Sequence, residues 1–558
     1  MSYINKMIDN PDEFEGFDMS SLRMDEAFLQ IINSSPNSIY IYELISECIK
    51  CPYKKFIAVP SGSTLIKLKT RFKTIYRLLN TQVGATHPVD NDDFVCGIKQ
   101  DFGQFGVYKL ETNGIICNTR VLKQPVNIYL PILTVILIYS IFFLIPLYSI
   151  VKKYVFKKDV KNESDPVTTK ERLKSLDTFR GISIVLMIFV NYGGGGYVFT
   201  DHAVWNGLQV ADLVFPWFLW IMGVCIPISI RSVLKKETPK GTAFLNILRR
   251  SCTLFAIGLF LGSGTNLEKL RIFGVLQRFG ICYLVVATMC LFLMEVDYAE
   301  FDRKWKNYFS EILHTYKMWI IILIILIIYC LVIFLVEIDG CPKGYLGPGG
   351  FHENGKYFNC TGGVTGHIDE VILGNHIYQY PTIKEIYNSK PFDPEGIFGC
   401  LTSIIQVFLG VKAGIILLTI KCYKKRAIRW TFWAFYTGLI GAVLCGFSKE
   451  NGVIPLNKNL WSLSFVLVTS SLAFLLLTFC YLLIDVIKIW NGKPFLFAGM
   501  NAIIMYIGHS ITYSNFPIRW DVDNNETHFL RLFENVWGTM CWILVSYYLY
   551  KKKIFYSI

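Results

Sequence analysis

The run Asn191-Tyr-Gly-Gly-Gly-Gly leads into Asp201-His202, then Trp205-Asn206-Gly207-Leu208, then Ala211-Asp212-Leu-Val-Phe-Pro. Consecutive glycines end a helix and let backbone approach another group closely. Imidazole is the side chain best poised to accept a proton near neutral pH. His202 therefore reads as a candidate general base, and otherwise as a hydrogen-bonded structural residue. An acid within an apolar run costs about 2.5–3.5 kcal/mol on insertion scales. Asp212 thus either serves a site or packs a helix against Arg180 or Arg278. His509, in Ile507-Gly-His-Ser, carries the same ambiguity. Arg271 and Arg278 are seven apart in Arg-Ile-Phe-Gly-Val-Leu-Gln-Arg and so lie near one helix face. They could grip phosphates; the preferred reading makes Arg271 an interface residue and Arg278 the neutraliser of a buried acid. Trp205, Trp217 and Trp220 read as interface and packing aromatics.

The elements that must position these residues are membrane helices. Of 558 residues, 53% are hydrophobic and 17% charged; soluble domains carry about a quarter charged. Mean hydropathy is +0.41. Residues 1–125 hold no run long enough to span a bilayer and read as a small, mostly β domain. Apolar runs of about 20 residues, the length a bilayer core requires, follow at 126–151, 177–195, 209–230, 247–264, 272–295, 318–336, 396–420, 430–447, 462–486, 497–515 and 532–550. The expected fold is thus a polytopic all-α membrane protein of about 11 transmembrane helices with a small β domain in front. A basic linker fills 152–176, and 177–558 forms the transmembrane unit with a loop at 337–395. A glycine-rich break between spans is tolerated only inside protein or around a watery cavity, which puts a cavity at one end of the second span.

Eleven spans place the two ends on opposite sides. With 152–176 in the cytosol, the cytosolic segments hold 28 Lys or Arg and the short loops opposite hold 5, the asymmetry that orients membrane proteins. The N-terminal domain and the loops 193–208 and 337–395 then face a lumen, and Lys551-Lys552-Lys553 the cytosol. The net charge of +13 is thereby explained by topology, and nucleic-acid binding is not expected. Cys48, Cys51, Cys96, Cys117, Cys341 and Cys360 all fall on the luminal side, where disulfides persist. Cys341 and Cys360 could pair; the other four allow three connectivities. Asn33, Asn359 and Asn525 head luminal sequons, whereas Asn162 lies on the cytosolic side. The start, MSYINKMIDN, shows no basic stretch before an apolar one. Either the start is incomplete or the first span translocates what precedes it. No P-loop, no dinucleotide fingerprint, no HExxH and no paired CxxC zinc pattern occurs, so no metal is expected.

Arg172-Leu-Lys-Ser-Leu-Asp177-Thr-Phe-Arg180-Gly, the glycine run and the His-x-x-Trp-Asn-Gly-Leu element together resemble the heparan-α-glucosaminide N-acetyltransferase family. So do Arg271-Ile-Phe-Gly-Val-Leu-Gln-Arg278, Cys341-Pro-Lys-Gly-Tyr-Leu-Gly-Pro-Gly-Gly350, Asn359-Cys-Thr-Gly-Gly, Asp393-Pro-Glu-Gly, Ile454-Pro-x-Asn-Lys-Asn-Leu-Trp-Ser462 and Gly499-Met-Asn-Ala. The likeness runs in order from about 170 to 515, and more weakly around Phe102-Gly-Gln-Phe-Gly. It implies a multi-pass lysosomal membrane enzyme, a homodimer, that takes acetyl from cytosolic acetyl-CoA to the terminal non-reducing glucosamine of heparan sulfate in the lumen. The family's active-site histidine matches His202 and its nearby asparagine matches Asn191. Arg271, Arg278, Asp212, Trp205, Asn206 and His509 are the residues expected around the acetyl-CoA. A fourth glycine, Gly196, departs from the family run. Glucosamine is largely protonated in an acid lumen, so a base is needed; direct transfer and an acetyl-histidine remain open. The rival readings are a transporter, an acyltransferase acting on another glycan, and a non-catalytic receptor.

Overall fold

The structure, a computed structural model, describes residues 13–90, 94–98, 100–141, 173–262, 266–295, 310–513, 515–516 and 527–556. Arg172, most of the linker 152–176, and the sequons at Asn162 and Asn525 lie outside the described residues.

Strands fill the front of the chain: β1 Glu13–Phe14, β2 Phe17–Asp18, β3 Glu26–Asn33, β4 Ile39–Ile45, β5 Tyr53–Val59, β6 Gly62–Lys69, β7 Thr74–Leu79, β8 Thr86–His87, β9 Cys96–Ile98, β10 Val107–Thr112 and β11 Cys117–Lys123. They form two main sheets, ordered β11-β10-β3-β6 and β8-β5-β4-β7-β9. Alternation in β3 sends Ala27, Leu29 and Ile31 into a core shared with Ile39, Ile41, Leu68 and Leu110, the period-2 pattern of a half-buried strand. Cys96 pairs with Cys117 between the sheets, Cys48 with Cys51, and Cys341 with Cys360. Asn33 is buried, its amide donating to the carbonyls of Asn37, Val59 and Pro60. A buried amide cannot carry a glycan, which leaves the exposed Asn359 as the accessible sequon of those two.

Helices follow: α1 Leu130–Ile141, α2 Lys174–Asn191, α3 Val210–Lys235, α4 Lys240–Gly262, α5 Val275–Leu293, α6 Tyr316–Leu335, α7 Gly363–Leu373, α8 Gly399–Thr419, α9 Tyr423–Leu444, α10 Leu463–Tyr481, α11 Phe495–Met500, α12 Ala502–Ile511 and α13 His528–Lys551. Among the described residues seven of these are long and apolar enough to cross a membrane, namely α3, α4, α5, α6, α8, α9 and α10, the last continued to Val486. The chain is thus polytopic and mostly helical behind a strand-rich domain. The other expected spans coincide with α1, α2, α11–α12 and α13. Of these, α2 carries Lys174, Asp177 and Arg180 within its 18 residues, and α11 and α12 are short.

Two helices meet through glycine. A Cβ on Gly223 of α3 would stand 2.0 Å from the Val407 carbonyl oxygen, and one on Gly410 of α8 2.0 Å from that of Trp220. Small residues at a membrane helix interface permit this backbone contact. The ends of two helices fix the geometry of the bundle. α2 leads into the glycine run, where Met24 of the strand domain lies against Gly196. α13 starts at His528, bonded to Asp25 of the same domain. The start of α2 and the end of α13 therefore lie on the side away from the strand domain.

Candidate active site

The glycine run explains the loop that carries His202. Gly193, Gly194, Gly195 and Gly196 all take positive φ, between 56° and 114°, a region that costs residues with a Cβ. Thr200 Oγ1 closes the turn on the carbonyls of Gly194 and Tyr197 at 2.9 and 2.8 Å. The chain then reaches Asp201, whose Oδ1 accepts the His202 backbone N–H at 2.8 Å.

Asp212 sits in the first turn of α3 and is fully buried. Its Oδ1 meets His202 Nδ1 at 2.8 Å, and its Oδ2 accepts the backbone N–H groups of Ala203 and Gln209 at 3.1 and 2.9 Å. The expected pairing of Asp212 with Arg180 or Arg278 is not formed among the described residues: its charged partner is His202. An acid that only accepts puts the proton on Nδ1, and Nε2 is left with its lone pair. His202 is half-buried and lines a cavity of about 420 Å³, with Asn206, Gly207, Gln209, Lys449 and, from the strand domain, Glu47.

Lys458, from the loop between α9 and α10, places Nζ 3.2 Å from His202 Nε2 and 3.3 Å from Nδ1. Sequence reasoning missed it. Its only signal was a charged residue inside one of the matched motifs, 256 positions away from the histidine. Behind it lies Glu395. Burial alone would raise that carboxyl, but Arg271, Lys458 and Arg278 outweigh burial and hold it down at about 2.

The remaining expected residues divide between this cluster and a second one. Arg271 is gripped by Asp393 (2.9 and 2.5 Å) and Glu395 (2.5 Å) and stacks on Tyr378. Arg278 is buried, donates to the Gly396 carbonyl at 2.8 Å and lies 4.8 Å over the Trp461 ring. Trp205 is buried, donates to the Leu346 carbonyl at 3.0 Å and meets Phe392 edge-on. Asn206 donates to Glu450 at 2.9 Å and accepts from Asn457 at 3.0 Å. Asn191, the last residue of α2, pairs instead with His509. His509 Nδ1 faces the Met505 carbonyl at 2.8 Å, so its Nε2 accepts from the Asn191 amide at 2.9 Å. Among the described residues no hydrogen bond joins Asn191 to His202; each stands in its own network.

A second cavity, of about 350 Å³, runs between α2, α3, α4, α5 and α12. Its walls are mostly apolar, including Ile184, Phe218, Met222, Leu276 and Phe279, with Arg180, Arg250, Tyr283, Tyr506 and Tyr556 as polar points. Arg180 is near the start of α2 and Tyr556 follows α13, so this end opens away from the strand domain. Tyr506, one turn before His509, marks the other end. Neither Arg271 nor Arg278 lines it.

The family model for heparan-α-glucosaminide N-acetyltransferase, catalytic, matches residues 172–298, the stretch that holds Asn191, His202, Asp212, Arg271 and Arg278. The chain is 37% identical to the heparan-α-glucosaminide N-acetyltransferase of Homo sapiens, over 97% of this chain and 89% of that protein. It is 36% identical to that of Mus musculus, over 96% and 89%.

Proposed function

The chain belongs to the heparan-α-glucosaminide N-acetyltransferase family, and on that premise we propose that His202 is the base that lets a glucosamine amine take acetyl from acetyl-CoA. The protein is an acetyltransferase for heparan α-glucosaminide. The observation that carries the proposal is the His202–Asp212 pair, buried on the carboxylate side and open to a cavity on the other. Asp212 holds the tautomer, so Nε2 accepts the amine proton as the N–C bond forms. The same nitrogen returns that proton to the sulfur as the C–S bond breaks. Lys458 stands where it can donate to the carbonyl oxygen as charge develops there, a contribution of roughly 2.7–4 kcal/mol by analogy with measured oxyanion donors. Asn191, its amide held by His509, is assigned the same kind of donation with its second N–H.

The second cavity fits a thin, mostly apolar chain with charge at one end, which suits the pantetheine arm of acetyl-CoA. Arg180 and Arg250 would meet its phosphates. Arg271, Arg278, Trp205 and Asn206 are assigned to shaping the wall between the two cavities. The acceptor sugar would enter the cavity lined by His202, Asn206 and Glu47. This division implies a lysosomal membrane protein with residues 1–125 in the lumen, the C-terminus in the cytosol, and donor and acceptor arriving from opposite faces. A homodimer and a glycan on Asn359 belong to the same proposal.

The test is CoA release by detergent-purified protein given acetyl-CoA and glucosamine, with wild type beside His202→Ala. The variant should still bind acetyl-CoA and fold, and lose about a hundredfold or more in rate. Equal activity of the two would remove His202 from the chemistry.

A further inference from the structure

Two contacts tie the strand domain to the loop that carries His202, one at each end of it. At the first glycines, Gly195 N–H donates to Asn535 Oδ1 at 2.8 Å, and the Gly195 carbonyl faces His528 Nδ1 at 2.9 Å. The other nitrogen of that ring, Nε2, meets Asp25 Oδ1 at 2.9 Å. At the histidine end, Arg71, just past β6, holds Asp201 Oδ2 at 2.5 Å while Asp201 Oδ1 holds the His202 N–H. The loop is thus held at Gly195 by Asn535 and His528 of α13, with Asp25 of the strand domain behind His528, and at Asp201 by Arg71 of the strand domain.

The His528 ring has a distinctive demand. Both of its partners, a carbonyl and a carboxylate, only accept. A neutral imidazole carries one N–H and can serve one acceptor; two acceptors need the doubly protonated ring. We propose that Asp25 and Arg71 are positioning residues for His202, and that the Asp25–His528–Gly195 bridge holds the catalytic loop in acid and releases it toward neutral pH. This rests on the reading of His202 as the base.

The surroundings of His528 agree. The ring is nearly fully buried, stacked on Tyr197 at 4.7 Å between centroids, with Gly196 over its edge and Met24 beyond. Arg71 is the opposing charge from the strand domain, and Arg531 lies one turn along α13, against Gly193. Burial alone would lower the imidazole. The bonds to Asp25 and to the Gly195 carbonyl outweigh burial and the repulsion from Arg71, and raise it above its ordinary value. A raised value in the folded state means the bridge is complete below the unfolded value and lost as pH rises through the folded one. His528 stands on the domain side of the expected span 532–550, in contact with the solvent-facing domain.

Asp25→Asn separates this from a merely structural contact. An asparagine amide donates to a neutral Nε2 while Nδ1–H still serves Gly195, so the bridge survives without the second proton. Asp25 has φ of 61°, a conformation asparagine tolerates. The experiment measures kcat for glucosamine acetylation by full-length protein at about pH 5 and about pH 7.5, each variant relative to wild type. Arg71→Met should lose about tenfold in kcat at both, with the KM for acetyl-CoA unchanged, and Arg71→Lys should recover most of it. Asp25→Asn should match wild type in acid and exceed it severalfold near neutrality. Unchanged ratios for both variants, with wild type active and His202→Ala dead, overturn the clamp and leave the base assignment standing. An inactive wild type would instead strike the acetyltransferase reading from which the clamp is derived.

Discussion

Asp212 is the residue whose chemistry is most constrained by its neighbours. All three of its contacts are donors: two backbone N–H groups at Oδ2 and the His202 ring at Oδ1. An asparagine there has no good orientation. With its NH₂ at the Oδ2 position it opposes two N–H groups. With its NH₂ at the Oδ1 position it forces the proton of His202 onto Nε2 and abolishes the base. Asp212→Asn should therefore lower kcat by about a hundredfold or more. Steady-state kinetics check this, and acetyl-CoA affinity should hold because Asp212 does not line the cavity between α2, α3, α4, α5 and α12.

The helices owe their arrangement to small residues and caps. Ser462 caps α10 through Phe465 N–H, and Thr527 caps α13 through Leu530 N–H, each satisfying a donor that the helix start leaves free. The α3–α8 contact depends on Gly223 and Gly410, where a side chain would meet a carbonyl oxygen. Gly410→Val should destabilise the bundle by about 1–3 kcal/mol or prevent its assembly. Gly241, in α4 with nothing within 4 Å of a Cβ, is the matched control, and Gly241→Ala should be neutral or mildly stabilising. Thermal unfolding followed by size-exclusion in detergent would read both.

On the scale of the molecule, the strand domain is seated on the helical bundle by a patchwork of contacts. The Cys48–Cys51 turn packs beside Trp205, Tyr387 and Leu460. Tyr387 donates to the Glu47 carbonyl at 2.9 Å, and Lys449 pairs with Glu47 at 2.7 Å. A domain held this way contributes Glu47 to the wall of the His202 cavity, and on the proposed function it takes part in the acceptor site. Sidedness belongs to this scale too. Asn359→Gln should remove a glycan, seen as a loss of the mass shift on glycosidase treatment, while a tag after Ile558 should be cleaved by protease added to intact lysosomes. A protected tag would reverse the proposed orientation.

Much of this was legible without coordinates. Hydropathy and length marked the helices because a bilayer imposes both, and period-2 patches marked the strand domain. The ordered motifs carried the family, and the glycine run with His202 and Asp212 marked a candidate site, because strained backbone and a charge in an apolar run are each costly. The pairings were not legible. Whether Asp212 answered to His202 or to an arginine, and whether Arg271 met phosphate or Asp393 and Glu395, depended on which loops meet at one end of the bundle. Lys458 reaches His202 from 256 residues away, and Arg71 reaches Asp201 from 130 away. Local sequence fixes how a segment folds because its hydrogen bonds close within a few residues. Which distant side chains share a proton or a charge is decided only by tertiary packing, and the chemistry proposed for this site rests on those long-range contacts.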